Sequence, residues 1–451
     1  MYTQSVLQSE YAKKRITAED AAKLVKNGFR MQFGLAHGAT VEFDKALAKR
    51  ADELKDITIY STLPLRRGPF ECFNATKGKG TFQFFDAHFG GPQRKMAAEG
   101  SCWFIPQQFH ELPQYWAYEI PPFDIFICRV GTMDSNGYFN IGPQVAEFWG
   151  SKRNAKITIL EIADTMPYAC GYMNQVNLAD VDYIIEGSNE PLLEIPDAEA
   201  SEVEKQIARY VIGEIQSKSC IQIGIGGLSN VIGKYICESD ITDLSGHTEM
   251  LTNCYLNMFR AGKISGYKNV DKGKLVYTFT GGSKELYDFI DHNDMCWSAP
   301  VDYVNSVPTI ARINNLISIN NCLSVDLYGQ VSAESVGFRQ ISGTGGQLDF
   351  VLGSYLSKGG KSIMCLPSVK QKKDGTLVSN IVPYFAPGTI VTTPRSAANY
   401  IVTEYGIVNM KGKSTWERAE ALISIAHPQF RDDMIRQAEA MGIWKNSSKI
   451  Q

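Results

Sequence analysis

In Ile221-Gln-Ile-Gly-Ile-Gly-Gly227 a short apolar segment runs directly into a cluster of glycines. An amphipathic helix pattern precedes it at residues 202–215, and a second helical pattern follows at residues 230–237. A similar series occurs earlier, where Met31-Gln-Phe-Gly-Leu-Ala-His-Gly38 also lies between two helix patterns. A strand that ends in a glycine loop between two helices is therefore predicted twice.

Further pairs of similar segments follow in the same order along the chain. The apolar segment 124–130 and the segment 323–327 each precede a turn-rich stretch. The apolar segments 155–161 and 361–366 each end close to a proline. The shared order predicts two related domains.

The composition of the strand segments indicates the fold class. Isoleucine, valine and phenylalanine occur there in runs without alternation, which is typical of strands buried on both faces. Helical patterns alternate with these strands, so we expect an α/β fold with largely parallel sheets. Residues 189–201 carry prolines and acidic residues and mark the boundary, which predicts an N-terminal domain of residues 1–195 and a C-terminal domain of residues 196–451.

Composition and charge exclude several classes of protein. Of the 451 residues, 44% are hydrophobic and 21% are charged, as in ordinary globular proteins and unlike disordered chains, collagens or coiled coils. The net charge of -3 offers no basic excess for binding nucleic acid. The first twenty residues resemble no signal peptide, and no segment is apolar for the length of a membrane span. We expect a cytoplasmic protein that associates with neither nucleic acid nor membrane.

The sequence patterns of metal and nucleotide sites are missing. Ten scattered cysteines form no C-x-x-C pair, and the six histidines show no metal-ligand spacing, so we expect reduced thiols and no metal. A Walker A loop that would end at Gly360-Lys361-Ser362 has Tyr355 in place of its first glycine. Dinucleotide fingerprints beginning at Gly224 and Gly343 fail at Ser229 and Leu348. The sequence therefore supports no bound cofactor, and it also lacks a G-x-S-x-G elbow for a serine nucleophile.

Two glycine clusters remain as candidate binding loops, Gly224-Ile-Gly226-Gly227 and Gly343-Thr-Gly345-Gly346, and we place each at a strand end. In parallel sheets, ligands bind at the carboxyl ends of the strands. Backbone N–H groups of glycines can approach an anion or an oxyanion closely, because no side chain stands in the way. A plain tight turn remains the alternative interpretation of each cluster.

Glu249, in Ser245-Gly-His-Thr-Glu-Met250, is the candidate carboxylate. A helical pattern over residues 250–259 places it at a helix start, where an acid is commonly a first-turn residue stabilised by the helix dipole. The functional interpretation is a glutamate that projects from a strand-to-helix turn toward a glycine-rich anion site. His247 is a candidate to orient Glu249, and the alternative interpretation is that it only satisfies local backbone groups.

Several longer segments resemble one family of enzymes. They are His247–Met250 (HTEM), 222–227 (QIGIGG), 326–335 (DLYGQVSAES), 340–362 (QISGTGGQLDFVLGSYLSKGGKS) and 414–430 (STWERAEALISIAHPQF). Together they resemble the butyryl-CoA:acetate and 4-hydroxybutyrate CoA-transferases of anaerobic fermentation. These enzymes belong to the acetyl-CoA hydrolase/transferase group of family I CoA-transferases. The long segment 340–362 is the most specific of these matches.

The resemblance implies two tandem CoA-transferase α/β domains, an active site in the cleft between them, and Glu249 as the catalytic nucleophile. It implies a ping-pong transfer of CoA from a short- or medium-chain acyl-CoA, in first place butyryl-CoA, to acetate through a glutamyl-CoA thioester. The residues that it assigns to binding fall into three groups. The oxyanion and CoA group is Gly343, Gly345, Gly346 and Gln347; the CoA group is Gln222, Gly224, Ile225, Gly226, Gly227, Leu228, Ser229 and Asn230; the acyl or carboxylate pocket is Gly34, His37 and Gly38.

Some alternatives stay open at the level of sequence. An acyl-CoA hydrolase on the same scaffold would use Glu249 to activate water, and a binding protein of the same fold would have no need of Glu249. The region around Gly34 departs from the butyryl enzymes, so propionyl, 4-hydroxybutyryl and hexanoyl groups remain possible substrates. Acyl-CoA and short-chain carboxylates are the expected small-molecule partners, with CoA thioester as substrate and no other cofactor, and we expect a homo-oligomer.

Overall fold

The computed structural model describes residues 4–76 and 80–445. The chain divides into two compact units. Unit 1 comprises Met1–Pro196, Glu249–Leu251 and Lys274–Val304, and unit 2 comprises Asp197–Thr248, Thr252–Gly273 and Asn305–Gln451. The domain boundary between residues 195 and 196 stays a prediction.

The strands, in chain order, are β1 (Arg15–Ile16), β2 (Arg30–Leu35), β3 (Ile57–Thr62), β4 (Phe82–Asp86), β5 (Cys102–Phe104), β6 (Phe123–Val130), β7 (Tyr138–Asn140), β8 (Ala155–Ile162), β9 (Gln175–Asn177), β10 (Tyr183–Glu186), β11 (Cys220–Ile223), β12 (Ser245–Leu251), β13 (Leu275–Thr280), β14 (Cys296–Ser298), β15 (Leu316–Asn321), β16 (Ser324–Asp326), β17 (Val331–Ser332), β18 (Ser335–Val336), β19 (Arg339–Gln340), β20 (Lys361–Cys365), β21 (Val369–Gln371), β22 (Leu377–Ser379), β23 (Ile381–Val382), β24 (Tyr400–Thr403) and β25 (Gly406–Asn409).

The α-helices, in chain order, are α1 (Gln4–Lys14), α2 (Ala18–Lys23), α3 (Glu42–Ala48), α4 (Glu71–Thr76), α5 (Gly91–Ala98), α6 (Leu112–Gln114), α7 (Phe148–Arg153), α8 (Glu202–Ile212), α9 (Gly227–Glu238), α10 (Asn253–Arg260), α11 (Lys284–Ile290), α12 (Val301–Val304), α13 (Val307–Ala311), α14 (Gln347–Leu356), α15 (Thr415–Ser424) and α16 (Pro428–Ala440).

A parallel sheet forms the centre of unit 1. Within the described residues its strand order is β1-β10-β8-β6-β2-β3-β4-β5, and every pair of neighbours in it is parallel. Seven of the eight residues of β6 are buried, and so are the last five residues of β8, as expected for strands that are covered on both faces. Unit 1 also contains the parallel pair β13 and β14.

The sheet of unit 2 repeats this order. In unit 1 the strands β2, β6, β8 and β10 are consecutive neighbours. In unit 2 the strands β11, β15, β20 and β24 pair in parallel in the same succession, with β12 on the other side of β11 and β25 antiparallel to β24. The α/β class with largely parallel sheets is therefore confirmed, and so is the doubling of the chain.

One of the predicted pairs of segments is wrong. Segment 323–327 contains β16, which lies in a small sheet with β17 and β23 rather than beside β11. The strand that corresponds to β6 is β15. In unit 1, β6 lies beside β2, and in unit 2, β15 lies beside β11, and β2 and β11 are the two strands that lead into similar glycine loops. Both β15 and β16 are short and apolar, and sequence similarity alone did not separate them.

Local signals in the sequence fix several helix ends. The Ser201 hydroxyl accepts from the backbone N–H of Glu204, and the Glu204 carboxylate accepts from the N–H of Ser201, so a capping box starts α8. Ser414 and Glu417 form the same arrangement at α15. By contrast, α9 starts at Gly227, three residues before the predicted pattern at 230–237.

Two further findings concern membrane and cysteines. Within the part of the chain that the structure describes, the helices lack the length or the apolar character needed to cross a bilayer. All ten cysteines lie in the described ranges as free thiols, and all except Cys170 and Cys237 are buried.

Candidate active site

Glu249 lies on strand β12, which spans Ser245–Leu251. The prediction that it begins a helix is wrong, because α10 starts only at Asn253 after the extended residue Thr252. The apolar spacing of residues 250–259 suits a helix, but its first residues continue the strand. Glu249 is partly exposed between the buried residues Thr248 and Met250. A carboxylate near the carboxyl end of a parallel strand is in the usual place for a functional group in an α/β sheet.

The strand geometry also places His247. Side chains alternate along a strand, so His247 and Glu249 share one face of β12. The imidazole is completely buried, and its ring centre lies 6.3 Å from that of Phe350. The structure therefore gives His247 a packing contact in the core of unit 2, and its suggested role in orienting Glu249 stays a prediction.

The first glycine cluster follows β11 and leads into α9, at the carboxyl end of a strand as predicted. Gly226 has a φ of 111°, a conformation that favours glycine. A Cβ atom added to Gly224 or to Gly226 would meet no atom within 4 Å, so both residues face open space. Ile225 between them is 44% exposed. The loop thus presents bare backbone next to the start of a twelve-residue helix, which suits an anionic ligand.

The remaining residues predicted to contact CoA from this segment have other surroundings. Gly227 is buried, and an added Cβ would lie 3.0 Å from the carbonyl oxygen of Glu199. Leu228 and Ser229 are buried in the first turn of α9. The Asn230 amide donates to the carbonyl of Ala198 over 3.1 Å and so holds the segment before α8. The exposed part of the loop is therefore Gly224 to Gly226.

The second glycine cluster leads into α14, but it does not end a strand of the main sheet. It follows β19, a two-residue strand in an antiparallel hairpin with β18, so that part of the prediction is wrong. Gly345 has a φ of 53°, which again favours glycine. The Gln347 amide donates to the carbonyl of Asn321 over 3.0 Å, and Asn321 is the last residue of β15. This contact brings the cluster to the carboxyl end of β15.

The two glycine clusters therefore lie at one edge of the sheet of unit 2. Strands β11 and β15 are parallel neighbours, with Ile223 paired to Ile319, so their carboxyl ends meet at the same edge. There the Asn320 amide donates to the buried Gln222 side chain over 3.1 Å. Gln222 thus connects the two strand ends through Asn320, a residue that the sequence did not single out.

Glu334 holds the second cluster in place, and sequence reasoning missed it. Its carboxylate is 3% exposed and accepts from Thr392 over 3.0 Å, from Gln340 over 3.1 Å and from Thr344 over 3.4 Å. Its backbone carbonyl accepts from the N–H groups of residues 341 and 342. These partners come from segments up to 58 residues away, so no local sequence pattern announces them.

The loop of Gly34, His37 and Gly38 is closely packed. Gly34 is the last but one residue of β2 and has a φ of 77°, and an added Cβ would lie 2.3 Å from the carbonyl oxygen of Gly38. A Cβ on Gly38 would lie 2.9 Å from the Cys128 sulfur. His37 is 3% exposed and packs edge-on against Tyr287 with 5.2 Å between ring centres. The glycines of this loop are thus explained by close packing, and its role in an acyl or carboxylate pocket stays a prediction.

Electrostatics keep His37 neutral. Burial and the nearby charge of Arg129 lower the pKa of His37 to about 3. An imidazole with that pKa carries no positive charge at neutral pH, so it cannot attract a substrate carboxylate as a cation.

A second buried carboxylate that the sequence did not reveal orders the segment after this loop. Glu161 of β8 is completely buried and accepts a hydrogen bond from the Thr40 hydroxyl. It also accepts from the backbone N–H of Val41 over 3.0 Å and of Glu42 over 3.1 Å at the start of α3. Burial raises the pKa of Glu161, and these donors act against that rise. The carboxylate thus satisfies the N–H groups that the helix start leaves without helical partners.

Within the described residues, no group of three or more His, Cys, Asp or Glu side chains is arranged to hold a metal ion. A reaction without metal or redox cofactor stays a prediction.

Known proteins are similar to this chain over nearly all of its length. The model of the acetyl-CoA hydrolase/transferase N-terminal domain matches residues 1–196, and that of the C-terminal domain matches residues 282–438. A butyryl-CoA:acetate CoA-transferase of Anaerostipes caccae is 43% identical over 98% of this chain and 99% of that protein. A probable butyrate:acetyl-CoA coenzyme A-transferase of Syntrophomonas wolfei is 44% identical, with the same coverage. The crystal structure of RipA from Yersinia pestis, 31% identical, superimposes with a TM-score of 0.86 over 97% of this chain and 99% of that one.

Proposed function

The chain belongs to the acetyl-CoA hydrolase/transferase family, and from that premise we propose that it moves CoA between butyryl-CoA and acetate. The observation that carries this proposal is the similarity to butyryl-CoA:acetate CoA-transferases, which extends over 98% of the chain rather than over one domain. The two glycine clusters at one sheet edge and the partly exposed Glu249 near the end of β12 supply groups that such a reaction needs.

Glu249 is the proposed nucleophile. Its carboxylate attacks the thioester carbonyl of butyryl-CoA, the carbon–sulfur bond breaks, and CoA leaves as the thiolate, which forms a butyryl-glutamyl anhydride. The thiolate then attacks the glutamyl carbonyl, which releases butyrate and leaves CoA on Glu249 as a thioester. Acetate attacks that thioester, and the same two steps in reverse order give acetyl-CoA and the free carboxylate.

Each of these steps passes through a tetrahedral oxyanion, for which the second glycine cluster is the proposed site. The backbone N–H groups of Gly343, Gly345 and Gly346 are the candidate donors. One preorganised donor stabilises such a transition state by roughly 3–4 kcal/mol. The Gln347 side chain already bonds the Asn321 carbonyl and accepts from Thr393, so we assign it to positioning the loop.

The first glycine cluster is the proposed contact for CoA itself. The exposed backbone from Gly224 to Gly226 leaves room for a ligand to approach, and the start of α9 favours a negative group. Gln222 in β11 and the residues from Gly227 to Asn230 at the start of α9 flank this loop and hold its two ends. Gly34, His37 and Gly38 remain our candidates for the wall near the acyl or carboxylate group.

Steady-state kinetics test the proposed reaction. Initial rates with butyryl-CoA and acetate should give the parallel lines of a ping-pong mechanism, and CoA release should be slow when acetate is left out. A panel of propionyl, 4-hydroxybutyryl and hexanoyl thioesters should be used more slowly than butyryl-CoA. Release of CoA without acetate as fast as transfer would instead assign the protein to the hydrolases of this family.

Two further expectations belong to this proposal. Buried free thiols are typical of a reducing compartment and support a cytoplasmic location. We also expect a homo-oligomer, which light scattering of the purified protein should detect, and a monomer at all concentrations would contradict this.

A further inference from the structure

A cavity of about 550 Å³ lies in unit 2, at the edge of the sheet away from the glycine clusters. Lys218 comes just before β11, Asp243 just before β12, and Asn315 just before β15, so the amino ends of three adjacent strands form one wall. The loop of residues 265–272 forms the other wall. The full lining is Lys218, Asp243, Ser265, Gly266, Tyr267, Lys268, Asn269, Lys272, Asn314 and Asn315.

The cavity is distinct from the proposed active site. Lys218 precedes β11 and Gly224 follows it, so the four residues of this strand, Cys220–Ile223, lie between the cavity and the first glycine cluster. A strand rises about 3.3 Å per residue, so the two ends of β11 lie roughly 10 Å apart. The sheet itself stands between them. A molecule in this cavity would therefore not occupy the glycine loops.

The charge of the cavity favours an anion. Its lining holds three lysines against the single acid Asp243. Lys268 is 5% exposed, and its ammonium donates to the carbonyl of Gly246 over 2.7 Å. The carbonyl group carries no full negative charge that would balance the ammonium. Burial lowers the pKa of Lys268, and the negative charge of Asp271 acts against this change. An anion in the cavity would stabilise this buried cation.

The walls are preformed rather than loose. The Asn269 amide donates to the carbonyl of Arg312 over 2.7 Å, and its oxygen accepts from the N–H of Asn314 over 2.8 Å. Gly266 has a φ of 71°, and an added Cβ would lie 2.7 Å from the Cα of Gly273. The loop of residues 265–272 is thus tied both to itself and to the segment before β15. A preformed site loses less conformational entropy when it binds a ligand.

Lys218 has an unusual backbone conformation and lies beside an exposed aromatic ring. Its φ of 70° is a left-handed conformation that glycine adopts more readily, yet the chain carries a lysine there. The Lys218 ammonium lies 5.1 Å from the ring centre of Tyr267. Tyr267 is 60% exposed, which places an accessible aromatic ring beside a cation at the mouth of the cavity.

We propose that this cavity is a second ligand site, which binds the phosphate group of a small molecule. Lysine ammonium groups and amide N–H groups are the usual donors to phosphate oxygens. Lys218 and Lys272 supply mobile charges at the mouth, and Lys268 supplies a fixed one at the wall. The exposed ring of Tyr267 suits a planar base next to the phosphate, so a nucleotide is one source of the group and inorganic phosphate is the other.

Calorimetric titration of the purified full-length protein tests the proposal, with inorganic phosphate and AMP as separate probes. The cavity variant is Lys218→Gly/Lys272→Ala, where glycine suits the φ of residue 218. The matched control is Lys205→Ala/Lys234→Ala, which removes two solvent-facing lysines of unit 2 and the same net charge. Thermal unfolding checks that both variants fold.

The wild type and the control should bind phosphate saturably and equally. The cavity variant should bind at least about tenfold more weakly, a change that corresponds to about 1.4 kcal/mol. Tighter binding of AMP than of phosphate would assign the site to a nucleotide, and equal binding to free phosphate. The proposal is overturned if the wild type binds neither probe, if the cavity variant binds like the control, or if acetate competes as well as phosphate.

Discussion

The loops after β2 and β11 occupy equivalent places in two sheets of the same topology, yet they are built for different tasks. At the end of β2 the glycines permit close packing, since an added Cβ at Gly34, within the strand, would lie 2.3 Å from the carbonyl oxygen of Gly38 in the loop that follows. After β11, an added Cβ at Gly224 or Gly226 would meet no atom within 4 Å. A glycine-rich strand end thus indicates either a closed turn or an open binding loop, and only the surroundings decide which.

Loss of the proposed nucleophile should give the largest effect. Replacing Glu249 by Ala removes the proposed nucleophile, so transfer from butyryl-CoA to acetate should fall by roughly 10⁴-fold or more. The fold should remain, because Glu249 is only partly buried at the end of a strand. Initial rates and thermal unfolding of the variant measure the two quantities, and substantial transfer by a folded variant would exclude Glu249 as nucleophile.

The two loops themselves can be compared with one substitution in each. Gly34→Ala introduces a clash and a left-handed alanine, so it should lower the free energy of unfolding by about 2–4 kcal/mol. Gly224→Ala should leave that free energy within about 0.5 kcal/mol of wild type, because its Cβ meets open space. It should instead lower kcat/KM for butyryl-CoA by about tenfold. Equal losses of stability in both variants would remove the distinction between a closed and an open loop.

Glu334 tests whether the second glycine cluster must be held rigidly. In Glu334→Gln an amide replaces a carboxylate that accepts from three side chains, so at least one donor loses its partner. Activity should fall by roughly 10–100-fold, in line with about 1–3 kcal/mol for a disrupted buried hydrogen-bond group. Glu439→Gln, at an exposed position of α16, is the control and should leave activity unchanged. If the two variants are equally active, Glu334 does not position the loop.

His37, in the closed loop, should make a small contribution to the pH dependence of the unfolding free energy. The pKa of His37 is about 3 in the folded protein, below the value of about 6.5 in an unfolded chain. Between these values the unfolded chain binds the additional proton, so the contribution of neutral His37 is complete above pH 6.5 and is lost as the pH falls toward 3. The slope of unfolding free energy against pH should therefore be lower in His37→Gln by at most about 1.4 kcal/mol per pH unit.

Two other buried groups, Glu147 and Asp86, change the unfolding free energy with pH in the direction opposite to His37, over an overlapping pH range. Burial raises the pKa of Glu147 to about 8 and that of Asp86 to about 7. Both remain in the His37→Gln variant, so the difference between the two proteins isolates His37. Identical slopes in denaturant titrations at several pH values would show that His37 is not buried in its neutral form.

The sequence predicted the parts of this fold that depend on local patterns. Strands β6 and β8 are rich in isoleucine and other apolar residues without strict alternation, and the Ser201 capping box marks the start of α8. Glu249 was assigned to a helix start because the spacing of residues 250–259 suits a helix, whereas β12, whose first residues pair with β11, continues through Glu249 to Leu251. Tertiary pairing overrode the local preference there.

Local sequence patterns could not predict the contacts between segments that are distant along the chain. Glu334 and Glu161 order loops through partners as far as 58 and 121 residues away, and neither position carries a local signature. The difference between the packed glycines at Gly34 and Gly38 and the open ones at Gly224 and Gly226 is likewise a property of neighbours in space.

The most direct test of the proposed function is to trap the covalent intermediate. The protein is incubated with butyryl-CoA in the absence of acetate, and the intact mass and the peptides are then measured. We expect a mass increase by CoA, located on the peptide that contains Glu249 and reversed when acetate is added. Adduct on another residue, or turnover without any adduct on Glu249, would contradict it.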